Sequence, residues 1–288
     1  FKKKTEQPSR SAREAFGGLS DAKWLRVLKR SIKEPVIDGV RMPGFPPAEL
    51  QSHTVGSAFD RALVEASNFY SYAKQACAKH GTPIEPGAQI LDFGVSWGRI
   101  IRFFMKDVEP SSLHGVDIST DYLDAARQTG VPGHLHRIDP LGRLPYEDRA
   151  FDLVYAYSVF THLPENVQDH WLPEIACSLK PGGLLVATVE PPRFIDHFLP
   201  LDPDDKSLHP WHAATARKIR ADVGIKERLQ QQGFVYIPDR DGVNEVYGDC
   251  AMTPGYVREH WGRYLEVLDF LDDADRFWQA VVVARKRK

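Results

Sequence analysis

The sequence predicts an α/β fold with a doubly wound, mostly parallel sheet, and two observations support this. Short apolar runs that are typical of buried strands alternate with segments of helical period between residues 90 and 189. The first run, Ile90–Phe93, passes through a small-residue turn from Gly94 to Gly98 into a stretch whose apolar residues share one helix face. A strand, a glycine turn and a helix start in this order hold polar ligands against backbone N–H groups.

The predicted sheet elements follow one another in a regular order. Strands are predicted at residues 90–93, 113–117, 134–138, 151–157 and 183–189. Helices are predicted to begin between them, at residues 99, 121 and 168. Two closing strands, at 265–270 and 277–284, are joined by a tight connection. They predict an antiparallel last strand and hence a mostly parallel sheet of seven strands.

Residues 1–85 are predicted to be an N-terminal extension that packs on the sheet domain. The segment would contain a frayed start over 1–18, an amphipathic helix over 21–29, a proline-rich strap over 35–47 and a long helix over 57–79. Proline excludes regular helix from the strap. Its apolar residues favour packing over a free linker.

Residues 190–232 interrupt the alternation and are predicted to be an insertion after strand five. The segment is rich in Pro and His at first and has a helical pattern from about residue 211. Short strands are predicted behind it at 233–237 and 245–247, and Thr253-Pro254 predicts a helix start. The main domain would then span residues 86–288, with the insertion as a substrate cap.

Composition excludes several classes of protein. The chain has 288 residues, of which 42% are hydrophobic and 26% charged, and this is ordinary for a globular protein. A net charge of −2 gives no attraction to nucleic acid or to an anionic membrane, and the apolar runs are too short to span a bilayer. Three widely spaced cysteines argue against a disulfide or zinc framework and predict a reducing, cytoplasmic location.

Two acids flank the glycine turn at informative positions. Asp92 lies two residues before Gly94, where a carboxylate repels a pyrophosphate but suits a ligand that carries ammonium or sulfonium charge. Asp117 closes the next predicted strand, about 20 residues after Gly98, where an acid can bind ribose hydroxyls. The turn differs from the dinucleotide fingerprint because Ser96 occupies its middle glycine position.

With these residues in view, the sequence resembles the class I S-adenosylmethionine-dependent methyltransferases. Five stretches carry the resemblance, in the family's order: DFGVSWG at 92–98, GVDI at 115–118, LPYEDRAFDLV at 144–154, SVFTHL at 158–163 and LKPGG at 179–183. The resemblance covers roughly residues 90–189 and departs from the family at Ser96. It implies a Rossmann-like fold, S-adenosylmethionine as cofactor and S-adenosylhomocysteine as product.

The resemblance also implies a set of cofactor-binding residues at the carboxyl ends of the strands. They are predicted to be Asp92, Gly94, Ser96, Gly98, Asp117, Ile118, Asp139 and Ser158. The glycine turn would hold the methionine end of the cofactor and Asp117 the ribose, while Ile118 would pack on the adenine. Asp139 would accept the adenine amino group, or alternatively would only form the turn before Pro140. Ser158 would face the sulfonium methyl group.

Two residues are candidates for catalysis. His162 ends the fourth strand motif, and a neutral imidazole at physiological pH suits a general base. The alternative is a capping or core histidine that shapes the pocket. Glu190, at the end of strand five, would take a proton or hold an acceptor hydroxyl, or would simply face solvent. No metal is predicted, because the histidines of the insertion suit a solvated loop better than a metal site.

The favoured function is transfer of a methyl group from S-adenosylmethionine to a small-molecule acceptor by direct displacement. A hydroxyl of a sugar or secondary metabolite is the preferred acceptor, and an amine is the closest alternative. A catalytically silent cofactor-binding subunit is a further possibility. A nicotinamide-dependent oxidoreductase is disfavoured by Asp92 and by the missing middle glycine. The sequence leaves the oligomeric state open.

Overall fold

The structure is a computed structural model that describes residues 10–238 and 246–287. Its α-helices are α1 Ala12–Phe16, α2 Asp21–Arg30, α3 Ala48–Val55, α4 Phe59–Lys79, α5 Thr120–Gln128, α6 Glu165–Ser178, α7 Arg193–Phe198, α8 Pro210–Ala221, α9 Ile225–Gln232 and α10 Pro254–His260. Its strands are β1 Val36–Ile37, β2 Val40–Arg41, β3 Ile90–Phe93, β4 Leu113–Asp117, β5 His134–Arg137, β6 Phe151–Ala156, β7 Leu179–Val189, β8 Phe234–Pro238, β9 Gly248–Met252, β10 Glu266–Leu271 and β11 Ala280–Arg285. Short 3₁₀ helices cover Ile101–Lys106, Pro110–Ser112 and Trp261–Arg263.

A seven-stranded sheet has the strand order β10-β11-β7-β6-β3-β4-β5. β3 pairs in parallel with β4 and with β6, and β4 pairs in parallel with β5. The last strand, β11, pairs antiparallel with both β10 and β7. Every residue of β3 is buried, as expected for an apolar strand covered on both faces. The sheet confirms the predicted α/β class with an antiparallel last strand.

The described residues form two compact units. The first unit comprises residues up to Asp139 together with Leu144–Tyr155, and the second comprises Pro140–Arg143 together with the residues from Ala156 onward. Within the described parts of the chain, no helix is both long and apolar enough to cross a membrane.

The N-terminal part of the first unit is more ordered than the sequence predicts. Ser11 caps α1 through a capping box with Glu14, and Phe16 is buried, so this part of the predicted frayed start is helical. The Trp24 indole of α2 donates a hydrogen bond to the Phe103 carbonyl at 2.8 Å. Residues 1–9 of the predicted frayed segment lie outside the described residues.

The proline-rich strap begins as a small hairpin. β1 and β2 pair antiparallel across Asp38 and Gly39, whose φ values of 50° and 82° are those of a tight two-residue hairpin turn. The chain then runs without regular structure to residue 47, and α3 follows. α3 has no counterpart among the elements predicted from the sequence.

The insertion packs with β8 and β9 around a small apolar core in the second unit. Buried residues of α7, α8, α9, β8 and β9 pack together, among them Phe198, Ile219, Leu229, Ile237 and Ala251. The strand predicted at 245–247 is wrong for Val246 and Tyr247, because the strand begins at Gly248; Glu245 lies outside the described residues. β9 pairs antiparallel with β8, and this pairing fixes its start.

The helix predicted from residue 99 is a 3₁₀ helix, Ile101–Lys106. All six of its residues are buried, including Arg102 and Lys106. A helix covered on every side has no solvent face to show an amphipathic period, so the sequence pattern could not distinguish the tighter turn.

Candidate functional site

The glycine turn after β3 requires left-handed backbone at three alternate positions. The φ values are 90° at Gly94, 49° at Ser96 and 79° at Gly98. A side chain at Gly98 would collide with Val131. Ser96 bears a left-handed conformation that costs an ordinary residue roughly 1–2 kcal/mol. Its backbone N–H donates to Asp117 Oδ2 at 2.8 Å, and this bond helps to hold the turn.

Asp117 joins two backbone segments at the end of β4. Oδ2 accepts from Ser96, and Oδ1 accepts from the Ser119 N–H at 2.8 Å. Burial raises the pKa of this carboxyl group, while the backbone hydrogen bonds oppose the rise. Each carboxylate oxygen keeps a second lone pair for another donor. The neighbouring Ile118 exposes 46% of its surface, which is large for an aliphatic residue.

Asp92 is buried beneath the turn, with only 3% of its surface exposed. The Tyr155 hydroxyl donates to Asp92 Oδ2 at 2.7 Å. Burial raises the pKa of Asp92 to about 8, although this hydrogen bond acts in the opposite direction. The carboxyl group is therefore largely protonated at neutral pH, and a nearby cation would favour its ionised form.

Asp139 occupies an exposed position after β5. Its carboxylate lies 3.0 Å from the Arg137 guanidinium, and 71% of its side chain is exposed. Asp117 accepts a hydrogen bond from the backbone of the glycine turn, whereas Asp139 forms this exposed ion pair with Arg137. Both interpretations of Asp139 stay predictions.

In the second unit, β9 lies beside the loop that follows β6. The N–H groups of Cys250 and Gly248 donate to the carbonyls of Thr161 and His162 at 2.8 and 3.0 Å. β9 also reaches the end of β7, where the Met252 N–H donates to the Glu190 carbonyl at 2.9 Å. β9 therefore forms backbone hydrogen bonds with both residues that are predicted to be catalytic, His162 and Glu190.

The His162 side chain is held on one edge and one face. Its Nδ1 lies 2.8 Å from the Gly248 carbonyl oxygen and 3.3 Å from Asp249 Oδ1. The ring stacks on Tyr247 with centroids 4.8 Å apart and planes inclined by 18°. The side chain of His162 is 20% exposed. The ring is therefore fixed in orientation and still reachable from solvent.

Glu190 is buried, with 5% of its surface exposed. Gln279 Nε2 donates both to Glu190 Oε1 at 3.2 Å and to Ser158 Oγ at 3.0 Å. Glu190 Oε2 and Gln279 Oε1 are buried acceptors without a hydrogen-bond partner among residues 10–238 and 246–287. Burial raises the pKa of Glu190 to about 8. The alternative of a solvent-facing Glu190 is therefore wrong.

Ser158 follows β6 in a left-handed conformation, with φ 59°. Its N–H donates to Thr188 Oγ1 at 2.7 Å. Strained non-glycine backbone of this kind persists where the surroundings hold it, often at functional sites. Ser158 and Glu190 belong to one hydrogen-bonded group through Gln279, and His162 belongs to another through Asp249.

Three residues of these groups were missed from the sequence: Tyr247, Asp249 and Gln279. Each is an isolated polar or aromatic residue on or beside a late strand, and no local motif marks it. The pairing of β9 with the loop after β6 is the feature that makes Asp249 relevant, and only the tertiary structure shows it.

The histidines of the insertion contact one another without forming a metal site. The rings of His197 and His209 each lie about 6 Å from that of His212 (6.1 and 6.0 Å between centroids). Among the described residues, no group of three or more His, Cys, Asp or Glu side chains is placed to hold a metal ion.

One part of the chain matches a known family of protein domains. A family model described as a methyltransferase domain matches residues 90–183, which contain the glycine turn, Asp117 and His162. The match covers about a third of the chain and shows that these residues are similar to a methyltransferase domain.

Curated methyltransferases are similar to about half of the chain. An uncharacterised methyltransferase of Schizosaccharomyces pombe is 29% identical over 151 residues, covering 46% of this chain and 53% of that protein. A sterol 24-C-methyltransferase of Gibberella zeae is 27% identical over 136 residues, covering 45% of this chain and 32% of that protein. The chain thus spans about half the length of the first relative and about a third of the second.

A solved structure supports the fold. An S-adenosylmethionine-dependent methyltransferase from Clostridium acetobutylicum has a TM-score of 0.53 at 14% identity, covering 77% of this chain and 92% of that one. At this identity the likeness concerns the fold alone.

The residues of the first unit fit S-adenosylmethionine, the cofactor that the sequence resemblance implies. S-adenosylmethionine carries a ribose diol, a flat adenine and a cationic sulfur. Asp117 offers free lone pairs to hydroxyl donors, and Ile118 offers an exposed apolar surface. The buried hydroxyl of Ser96 has no partner among the described residues, so it remains available to a polar ligand.

Proposed function

We propose that this protein transfers the methyl group of S-adenosylmethionine to a hydroxyl of a small molecule, such as a sugar or a secondary metabolite. The observation that supports this most is the orientation of His162, whose Nδ1 faces the Gly248 carbonyl oxygen at 2.8 Å. An alkyl hydroxyl hardly ionises at neutral pH, so its methylation releases a proton that a positioned base must accept.

The cofactor supplies a methyl group on a sulfonium sulfur, which needs no covalent nucleophile from the protein. The turn and Asp117 bind and orient the cofactor, and alignment of the reactants contributes up to roughly 7–11 kcal/mol. His162 Nε2 would take the proton of the acceptor hydroxyl, and the cofactor, having given up the methyl group with cleavage of its carbon–sulfur bond, would leave as S-adenosylhomocysteine. Such a base contributes on the order of 10²–10⁴-fold in rate. Glu190 holds the acceptor.

In this proposal, residues 1–85 form the N-terminal extension. Residues 190–232 form a cap over the acceptor. The apolar core of the insertion supports the second assignment, because it gives a cap a fixed shape. Family members differ in such peripheral segments, so these residues set the acceptor. The cytoplasm, where three unpaired cysteines stay reduced, is the proposed location.

An amine acceptor is a second candidate. Glu190 Oε2 and Gln279 Oε1 are both buried oxygens without a donor among the described residues. An N–H group satisfies such acceptors, and a free amine can attack without a base. N-methylation would therefore depend on Glu190 more than on His162.

The test begins with calorimetry of the protein with S-adenosylmethionine, S-adenosylhomocysteine and NAD. Matched panels of alcohols and amines are then screened for methyl transfer by mass spectrometry. On an alcohol acceptor, His162→Ala should lower kcat by roughly 10²–10⁴-fold with cofactor affinity unchanged, because only the base is lost. His136→Ala, at an exposed position on β5, is the matched control.

Each contrary result has a distinct meaning. A His162→Ala variant that keeps most of its kcat contradicts the role of His162 as base. Binding of S-adenosylmethionine without transfer to any acceptor indicates the silent subunit. Binding of NAD in its place contradicts the whole proposal.

A further inference from the structure

We infer that Asp249 is a positioning residue for His162, fixing its tautomer and stabilising the positive ring that forms when Nε2 accepts a proton. This inference rests on the proposed function of His162. The carboxylate does not touch the acceptor in this scheme and acts through the imidazole.

The tautomer follows from the partners of Nδ1. A carbonyl oxygen can only accept a hydrogen bond, so the Nδ1 that lies 2.8 Å from the Gly248 oxygen must carry a hydrogen. The neutral ring then keeps its lone pair on Nε2. Nε2 makes no hydrogen bond within the described part of the chain, so this lone pair is available to an acceptor.

Asp249 is placed to stabilise the charged ring. Its carboxylate lies 3.3 Å from Nδ1 and is buried, with 7% of the residue exposed. β9 holds it from both sides, through pairing with Ile237 of β8 and through the hydrogen bonds of its neighbours to the loop after β6. The strand thus fixes a carboxylate beside Nδ1, on the side of the ring opposite to Nε2.

Tyr247 restricts the remaining motion of the ring. Its side chain stacks on His162 at 4.8 Å, which limits rotation of the imidazole away from Gly248 and Asp249. The three contacts together orient Nε2. A histidine oriented in this way by a carboxylate on its other nitrogen is the arrangement that makes imidazole an effective general base.

A second histidine in the same unit provides a matched control. His260 Nε2 lies 2.8 Å from Asp169 Oδ1, and Tyr256 stacks on the ring at 4.7 Å and 17°. Asp169 also pairs with the Arg263 guanidinium at 3.2 Å, which balances its charge. This group resembles the His162 group in geometry but lies outside the proposed mechanism.

The experiment reads the histidine rings directly by long-range ¹H–¹⁵N NMR of protein labelled at its imidazoles. His162→Gln assigns the His162 signals. The wild-type protein should show the Nδ1–H tautomer for His162, a result that needs neither a variant nor an acceptor. The Nε2–H tautomer would overturn the inference.

Asp249→Asn should then reduce kcat at least about tenfold, with the KM for the acceptor little changed. Asp169→Asn should change the His260 signals only. An unchanged kcat in folded Asp249→Asn overturns the inference. The expected NMR result without methyl transfer contradicts the proposed function and leaves the pairing intact.

Discussion

Asp117, at the end of β4, has both a structural role and a proposed role in ligand binding. It accepts backbone N–H groups from Ser96 and Ser119, and it is the residue proposed to bind the ribose. A single carboxylate can satisfy both because each oxygen has two lone pairs. The same bonds stabilise the left-handed backbone of Ser96, so loss of Asp117 affects the turn as well as the ligand.

Asp117→Ala should weaken S-adenosylmethionine binding by about 1–3 kcal/mol, because ribose hydroxyls lose their buried partner. Calorimetry of the folded variant measures this loss. Asp121→Ala, which removes an exposed acid from α5 nearby, should leave the affinity unchanged. Equal affinities for Asp117→Ala and the wild type would remove Asp117 from the cofactor site.

At the residue scale, what could be predicted depended on whether the signal was local. Asp92, Gly94 and Asp117 were predicted because a motif fixes their spacing along the chain. Asp249 and Gln279 were not, because their partners lie 87 and 89 residues away in sequence, at His162 and Glu190. No spacing rule links such pairs before the fold is known.

The side chain of Arg102 joins the proline-rich strap to the glycine turn. Arg102 is fully buried; its Nε donates to the Gly98 carbonyl at 2.9 Å and its Nη1 to the Gly44 carbonyl at 3.1 Å. The guanidinium lies over the rings of Phe45 and Trp97, 4.3 and 5.1 Å from their centroids. Burial lowers the pKa of Arg102 to about 9. Burying a guanidinium costs free energy, but this one donates hydrogen bonds to two backbone carbonyls, which an apolar side chain cannot do.

Arg102→Met should destabilise the fold and weaken cofactor binding. It keeps the apolar volume but leaves the Gly98 and Gly44 carbonyls without donors, at about 1–3 kcal/mol for each. Relief of the buried charge offsets part of this cost. Thermal unfolding and calorimetry measure the two effects. Arg127→Met, an exposed arginine on α5, is the control, and an Arg102→Met variant equal to it in both measurements contradicts the linkage.

At the element scale, periodicity predicted the elements that bury an apolar stripe and failed for those held in other ways. α4 and the sheet strands were predicted near their true bounds. α3 was missed because its one buried residue is Gln51, which donates to the Pro46 carbonyl and accepts from the Phe59 N–H. A helix anchored by one glutamine has no hydrophobic period to detect.

Over the whole molecule, two buried acids and one partly buried histidine give the stability of the protein a particular pH dependence. Burial raises the pKa values of Asp92 and Glu190 to about 8. Burial, with the charges of His134 and His136, lowers the pKa of His114 to about 4. Each group therefore differs in protonation between the folded and unfolded chain over a defined pH range.

The two acids and the histidine act in opposite directions. Between about pH 4 and 8 the folded chain keeps protons on Asp92 and Glu190 that the unfolded chain has released, so their stabilisation is complete below this range and lost as pH rises through it. Between about pH 6.5 and 4 the unfolded chain protonates His114 while the folded chain does not, so its contribution falls as pH falls through this range. From about pH 6.5 to 8, Asp92 and Glu190 are the only two of these three groups whose protonation differs between the folded and the unfolded chain.

The free energy of unfolding should therefore fall from pH 6.5 to 8, with each acid contributing a slope of up to about 1.4 kcal/mol per pH unit. Asp92→Asn and Glu190→Gln each remove one titrating group and keep its shape, so each should flatten the slope by about that amount. Glu147→Gln, at an exposed acid, should leave the slope unchanged. Denaturant unfolding at several pH values gives the slopes. A wild-type curve that stays flat, or that rises from pH 6.5 to 8, would mean that Asp92 and Glu190 are ionised in the folded protein and that their burial is compensated.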